Sequence, residues 1–117
     1  MQIVDRKTFL AMPVGTVYSK MPLDGAYDFG PVEIKGETSG ENDWYVQRLI
    51  GDFIGANDTA EWIDAIDEMK RGLSRTVDYD IQGRDALYDA DQLFAVFHQS
   101  DLLNLIERLT KALRGAE

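Results

Sequence analysis

All three prolines, Pro13, Pro22 and Pro31, fall in the first third of the 117-residue chain, and they limit what that third can become. Proline lacks an N–H, and the residue before it avoids the helical region, so no long helix fits there. What fits is a short helix over Arg6 to Ala11, capped by Asp5 and stopped before Pro13. Two β-rich runs bounded by Gly and Pro follow, Gly15 to Lys20 and Pro31 to Glu37. The second alternates Val32 and Ile34 with Glu33 and Lys35. Between them, Leu23 to Phe29 carries Asp24-Gly25 and ends at Gly30-Pro31, a turn-rich connection.

The proline-free remainder has clearer periods. Asp43 to Ile54 fits both an alternating pattern and a helical one, and a strand opening at Trp44 is the favoured reading. Asp58, with Glu61 three residues later, starts a helix whose stripe is Trp62, Ile66, Met69 and Leu73 and whose exit carries Lys70 and Arg71 before Gly72. Val77, Tyr79 and Ile81 then alternate with Thr76, Asp78, Asp80 and Gln82, a half-exposed strand with its carboxylates outward, ended by Gly83. Arg84 to Gln92 reads as an Asp-rich loop and Leu93 to His98 as a short apolar strand. Ser100 caps a last helix, with Asp101 in its first turn, Leu102, Ile106, Leu109 and Leu113 as its stripe, and Arg108, Lys111 and Arg114 toward its C-terminus. The order α-β-β-β-α-β-β-α implies a single α+β domain over residues 1–117. Its expected form is a two-layer sandwich: a mixed or antiparallel sheet of about five strands, covered on one face by the two main helices. Trp62, Ile66, Leu102, Ile106 and Leu109 are the expected core positions.

Composition narrows the chemistry. The chain has no cysteine, which excludes disulfides, thiolate nucleophiles and cysteine-based zinc or iron-sulfur sites. Its only histidine, His98, is too few for a His-based metal cage, and no G-x-S-x-G elbow supplies a serine nucleophile. Twelve Lys plus Arg against twenty-one Asp plus Glu give a formal charge of -9, so the average field repels nucleic acid and anionic membrane. No run approaches the ~18 to 20 apolar residues of a membrane span, and the N-terminus lacks the pattern of a signal peptide, so the expected location is the cytoplasm. An anionic ligand would need a local basic pocket.

Three constellations carry possible chemistry. Asp78, Asp80, Gln82, Gly83 and Asp89 track the calcium-loop pattern D-x-[DN]-x-[DN]-G-x5-E, in which alternating carboxylates converge on a hard cation. Gln82 and Asp89 depart from it, Asp85 stands at an apolar loop position, and a β-like run replaces the exit helix, so no metal site is assigned. The same Asp78, Asp80, Asp85, Asp89 and Asp91 form a candidate acidic surface that mimics nucleic-acid phosphate and blocks a host nuclease or DNA-binding protein. The bland alternative is a solvated acidic loop. Against these stand Lys35, Arg48 and Arg84 with Trp44, Tyr88, Phe94 and Phe97: an arginine fork grips phosphate and an aromatic face stacks on a base, the minimum for a nucleotide pocket. Here the bland reading is that Trp44, Phe94 and Phe97 are core, that Arg84 pairs with Asp85 or Asp80, and that His98 is structural.

Two stretches, Arg6 to Lys20 and Gln82 to Phe97 continuing into Asp101 and Leu102, resemble small hypothetical proteins encoded by phages, with Ile34 to Thr38 and Asn42 to Tyr45 extending the likeness between them. By its layout of strands and two main helices the chain is also similar to anti-Thoeris sponges, which sequester a cyclic ADP-ribose signalling nucleotide without cleaving it. That resemblance implies a non-enzymatic, cofactor-free counter-defence protein in the cytoplasm of the infected bacterium. It further implies a homo-oligomer with pockets between protomers. Its expected partner is a signalling nucleotide, or alternatively a host defence protein.

Overall fold

Asp5 accepts a hydrogen bond from the Thr8 amide at 2.8 Å and starts the first helix where the sequence places it. The computed structural model describes residues 1–80 and 82–115. In chain order these form β1 (Gln2–Val4), α1 (Arg6–Leu10), β2 (Val17–Lys20), β3 (Val32–Ser39), β4 (Asp43–Arg48) and β5 (Asp52–Phe53). Then come α2 (Thr59–Lys70), β6 (Val77–Asp78), β7 (Gln82–Arg84), β8 (Phe94–Val96) and α3 (Gln99–Gly115). Six strands make one antiparallel sheet in the order β1-β8-β2-β3-β4-β7, and β5 pairs with β6 in a small second sheet. The class is α+β. No helix among the described residues is long and apolar enough to cross a membrane.

The strands expected at 15–20, 31–37 and 93–98 form, and Asp43 to Arg48 is a strand, as favoured. The run 76–82 divides instead. Val77–Asp78 pairs with β5, whereas Gln82 opens β7 on the edge of the main sheet, with Gly83 and Arg84 inside that strand rather than beyond it. Ile81, part of the expected alternation, lies outside the described residues. Gly83, the sixth position of the calcium-loop pattern, pairs with Val46 inside β7 instead of making the sharp turn that the pattern calls for. Among the described residues no group of three or more His, Cys, Asp or Glu could hold a metal ion.

The two main helices do not lie together on one face, contrary to the pattern reading. The face is already closed by the five-residue α1, whose Phe9 is fully buried. Phe9 stacks on Phe94 at 4.0 Å between centroids and meets Tyr18 and Trp44 edge-on at 4.6 and 5.1 Å. Val4, Val46 and Val96 complete this core. α2 packs instead on the small sheet, where Ala65, Ile66 and Met69 meet Phe53, Ala56 and Val77. Its Asp58 cap accepts from the Glu61 amide at 2.8 Å, as the sequence predicts, while Trp62 stays 43% exposed at the edge of that cluster. α3 buries no residue: Ile106 and Leu109, expected in the core, are exposed, and Leu102 is half-buried. The radius of gyration is 16.3 Å, against about 13 Å for a compact domain of this length.

Register assigns the faces. Glu33 pairs with Tyr18 on one side and Arg48 on the other, and Lys35 pairs with Val46, so Glu33 and Lys35 share the aromatic face while Val32 and Ile34 point away. A bulge between Lys35 and Thr38 adds a residue to β3 and brings both side chains to that face. Gly36 lies in the bulge because a Cβ there would come within 3.1 Å of the Tyr45 Cβ and carbonyl oxygen.

Candidate functional site

The polar residues on the aromatic face form one connected group. Lys20 pairs with Asp85, which is 8% exposed, and its ammonium lies 5.3 Å from the Trp44 ring centre. Trp44 donates its indole N–H to the Tyr18 hydroxyl at 3.0 Å. Tyr18 pairs across the strands with Glu33, whose Oε2 lies 3.3 Å from the Arg48 Nε. Burial pushes the Glu33 carboxyl above the usual carboxylate range, opposed by the positive charges of Arg48 and Lys20. Burial also raises the Tyr18 phenol, so it remains a neutral donor and acceptor.

Glu33 and Arg48 open onto a cleft of about 460 Å³, walled by Pro31, Val32, Leu49 and Ile50. It lies where β3 begins and β4 ends, so the pairing of Glu33 with Arg48 places an acid and a guanidinium side by side on its floor. The Arg48 side chain is 48% exposed and that of Glu33 11%. A second cavity of about 450 Å³ is lined by Arg6, Lys7, Thr38, Glu41 and Asn42 beside Leu10. Its arginine is spent: Arg6 donates to Asn42 Oδ1 at 2.9 Å, the Asn42 carbonyl at 2.5 Å and the Asp89 carbonyl at 3.3 Å, with its guanidinium over Trp44. In the first cleft the Arg48 Nε lies beside Glu33 and about half of the side chain stays exposed.

Several residues expected to hold a ligand are structural. Trp44 and Phe94 are 0% exposed, because α1 covers them, and offer no face for stacking. Lys35 is 1% exposed, with its ammonium donating to the Thr38 hydroxyl at 3.0 Å and the Gly36 carbonyl at 3.2 Å. Burial lowers its pKa. Phe97 is half-buried and its amide donates to the Val17 carbonyl at 2.9 Å. Arg84 and Tyr88 do come together, around a different acid. Arg84 Nε donates to Asp43 Oδ2 at 3.0 Å and its Nη2 to the Tyr88 hydroxyl at 2.9 Å, rather than pairing with Asp85 or Asp80. Burial drives Asp43 up, but the Ala86 and Trp44 amides and Arg84 together outweigh it and hold the carboxyl below its usual range. Arg84 pairs with Tyr45, whose side chain is on the opposite face from Arg48, so the two arginines cannot close on one phosphate.

The five aspartates expected to form one acidic surface are also divided. Asp85 is buried against Lys20, Asp78 is half-buried and accepts from the Asp80 amide at 2.9 Å, Asp89 is half-buried, and only Asp80 and Asp91 are exposed. Pattern reading missed Glu33, Asp43, Lys20 and Arg6. The alternation marks Glu33 as outward, and nothing local signals that Arg6 and Lys20 lie over an indole more than twenty residues away. No protein-family model matches the chain, and neither does any curated protein or solved structure.

Proposed function

We propose that the chain captures a signalling nucleotide, of the cyclic ADP-ribose or cyclic oligonucleotide type, and holds it without turnover. In this reading it is a phage counter-defence protein acting in the cytoplasm of the infected bacterium. The observation that carries the reading is the cleft of about 460 Å³ with Arg48 on its floor and Val32, Leu49 and Ile50 on its walls, a volume within the usual range for small-ligand sites. A guanidinium with half its side chain exposed offers paired N–H donors to phosphate. The apolar walls suit a base, and the Glu33 carboxyl beside Arg48 suits a ribose hydroxyl. One acid, one guanidinium and apolar walls supply groups that suit the hydroxyl, phosphate and base of a nucleotide. The -9 net charge does not by itself prevent this, because distant carboxylates are screened and the local field in the cleft is set by Arg48 and the Glu33 carboxyl beside it.

The test is calorimetric titration with cyclic ADP-ribose, ADP-ribose and cyclic di- and trinucleotides, followed by heat release and chromatography of the bound compound. One nucleotide should bind and be recovered intact. Arg48→Ala should weaken it at least tenfold, the loss of about 1.4 kcal/mol or more expected for a charge-assisted bond, while Arg84→Ala leaves it unchanged. Absence of binding at 100-fold the protein concentration, or binding indifferent to Arg48→Ala, refutes the reading.

A further inference from the structure

Among all the aspartates and asparagines of the chain, only Asp24 is followed by a glycine, Gly25. The pair lies in the connection between β2 and β3, where Leu23 to Phe29 are all exposed. Gly25 has φ 82°, a conformation that residues with side chains rarely adopt, and a Cβ built on it would meet nothing within 4 Å. The backbone there carries no side chain and has no packed neighbour on that side. The Asp24 carboxyl is turned toward it: Oδ1 accepts from the Ala26 amide at 2.9 Å, which folds the side chain back over the Asp24–Gly25 peptide. We propose that Asp24 is a covalent modification site, at which the Gly25 nitrogen closes on the side-chain carboxyl carbon and converts the residue to isoaspartate.

A bond forms between the Gly25 nitrogen and Asp24 Cγ, and the bond from Cγ to one carboxyl oxygen breaks. That oxygen leaves as water, taking the acid proton and the amide proton, and a succinimide ring remains. Water then adds back at either ring carbonyl. Opening at the side-chain carbonyl restores aspartate; opening at the backbone carbonyl leaves the chain running through the β-carbon, with a free α-carboxylate. No oxidant or reductant is consumed, and the mass is unchanged. The fold accommodates the product because the loop is tied at its ends and open between them. The Gly30 amide donates to the Lys20 carbonyl at 2.8 Å, the Met21 amide to the Leu93 carbonyl at 3.0 Å and the Gln92 side chain to the Met21 carbonyl at 2.7 Å. Between these ties Leu23, Tyr27 and Phe29 are exposed, so a backbone longer by a methylene displaces no core side chain. Asp78 makes the same local contact in a different setting. Its Oδ1 accepts from the Asp80 amide at 2.9 Å, but the intervening Tyr79 carries a Cβ that crowds ring closure, and Asp78 is half-buried and paired with Asp52 in a strand. The isoaspartyl α-carboxylate is in turn an acceptor for a carboxyl methyltransferase with a sulfonium methyl donor. Methyl passes to a carboxylate oxygen, the sulfonium becomes a thioether, and the ester is lost as methanol when the Gly25 nitrogen closes the ring again.

The full chain, aged in warm, mildly acidic buffer and digested with trypsin, should give two forms of the peptide 21–35 that share one mass and separate on reversed-phase chromatography. Electron-transfer fragmentation should place the isomer at Asp24 and not at Asp28, and an isoaspartate-specific carboxyl methyltransferase should label it. The peptide 76–84, which carries Asp78, should contain at least tenfold less. Asp24→Glu keeps the charge but needs a larger ring, so it should abolish the isomer. Asp24→Asn keeps the acceptor for Ala26 and should react through the same ring, with release of ammonia and the matching mass shift. Because the loop is open in the folded chain, the native rate should lie within about tenfold of the rate in denaturing urea. The near-ultraviolet circular dichroism of the buried Tyr18 and Trp44 should not change as the isomer accumulates. A native rate suppressed more than that, equal yields at Asp24 and Asp78, or an isomer that persists in Asp24→Glu overturns the proposal. So does loss of the aromatic signal in step with the isomer, since the reaction would then follow unfolding.

Discussion

If the five-residue α1, and not the two long helices, closes the core, then Phe9→Ala should be far more damaging than Ile106→Ala. Phe9 is fully buried, stacked on Phe94 and edge-on to Tyr18 and Trp44, so truncation removes the ring's transfer free energy, leaves a cavity under a short helix and breaks three aromatic contacts. Phe→Ala at such a site costs about 3–5 kcal/mol, and the aromatic geometry points to the upper half of that range. For a chain of this length each kcal/mol moves Tm by roughly 3–6 °C, giving a fall of about 15–25 °C. Ile106 is 59% exposed, so Ile106→Ala removes surface already in contact with water and improves helix propensity, a net change within about 0.5 kcal/mol. The assay is urea unfolding followed by tryptophan fluorescence, with protein dilute enough that no second copy contributes. A cost for Ile106→Ala equal to or above that of Phe9→Ala would place the long helix over the core and refute this account.

Three further outcomes follow from the polar groups and the backbone. Lys35→Met should stabilise the fold at pH 7 by about 1 kcal/mol, because it removes a buried ammonium that faces a hydroxyl and a carbonyl rather than a carboxylate. Since burial lowers the folded pKa of Lys35 below 10.5, its stability cost shrinks as pH rises from that folded value toward 10.5, and urea melts across that window should lose their upward slope in the variant. Asp43→Asn should cost about 1–3 kcal/mol at pH 7 by removing the charged partner of Arg84. Because the folded pKa of Asp43 lies below 3.8, that contribution is present above about pH 4 and lost as pH falls through the folded value, so thermal melts of variant and parent should converge in acid. Ala86 has φ 58°, where a Cβ is strained, so Ala86→Gly should raise stability by about 0.5–1 kcal/mol, read as a Tm increase of a few degrees.

What the sequence makes legible is whatever rests on local chemistry. The Asp5 and Asp58 caps, the stop near Pro13 and the Val32 to Lys35 alternation each depend on neighbours within four residues, and each forms. What fails is the step from period to partner. Alternation shows that Glu33 and Lys35 share a face, but not that this face is the buried one; that depends on Tyr18, Trp44 and Phe94 converging on it from three other strands, which no local signal encodes. The extra bulge residue in β3 then lets Lys35 reach Thr38, a contact that strict alternation forbids. In the same way Leu102, Ile106, Leu109 and Leu113 announce an apolar face correctly, yet the pattern is identical whether the face meets this chain's own sheet or a second chain. The aromatic core was already filled by Phe9, so the stripe was left outside. The candidate cleft follows the same logic: Arg48 and Glu33 are fifteen residues apart and become neighbours only through strand register, whereas the more conspicuous Arg84, with an aromatic four residues away, closes onto Asp43. A residue type suited to phosphate is therefore a weak guide by itself, and the deciding quantity is which of its donors the fold has already used.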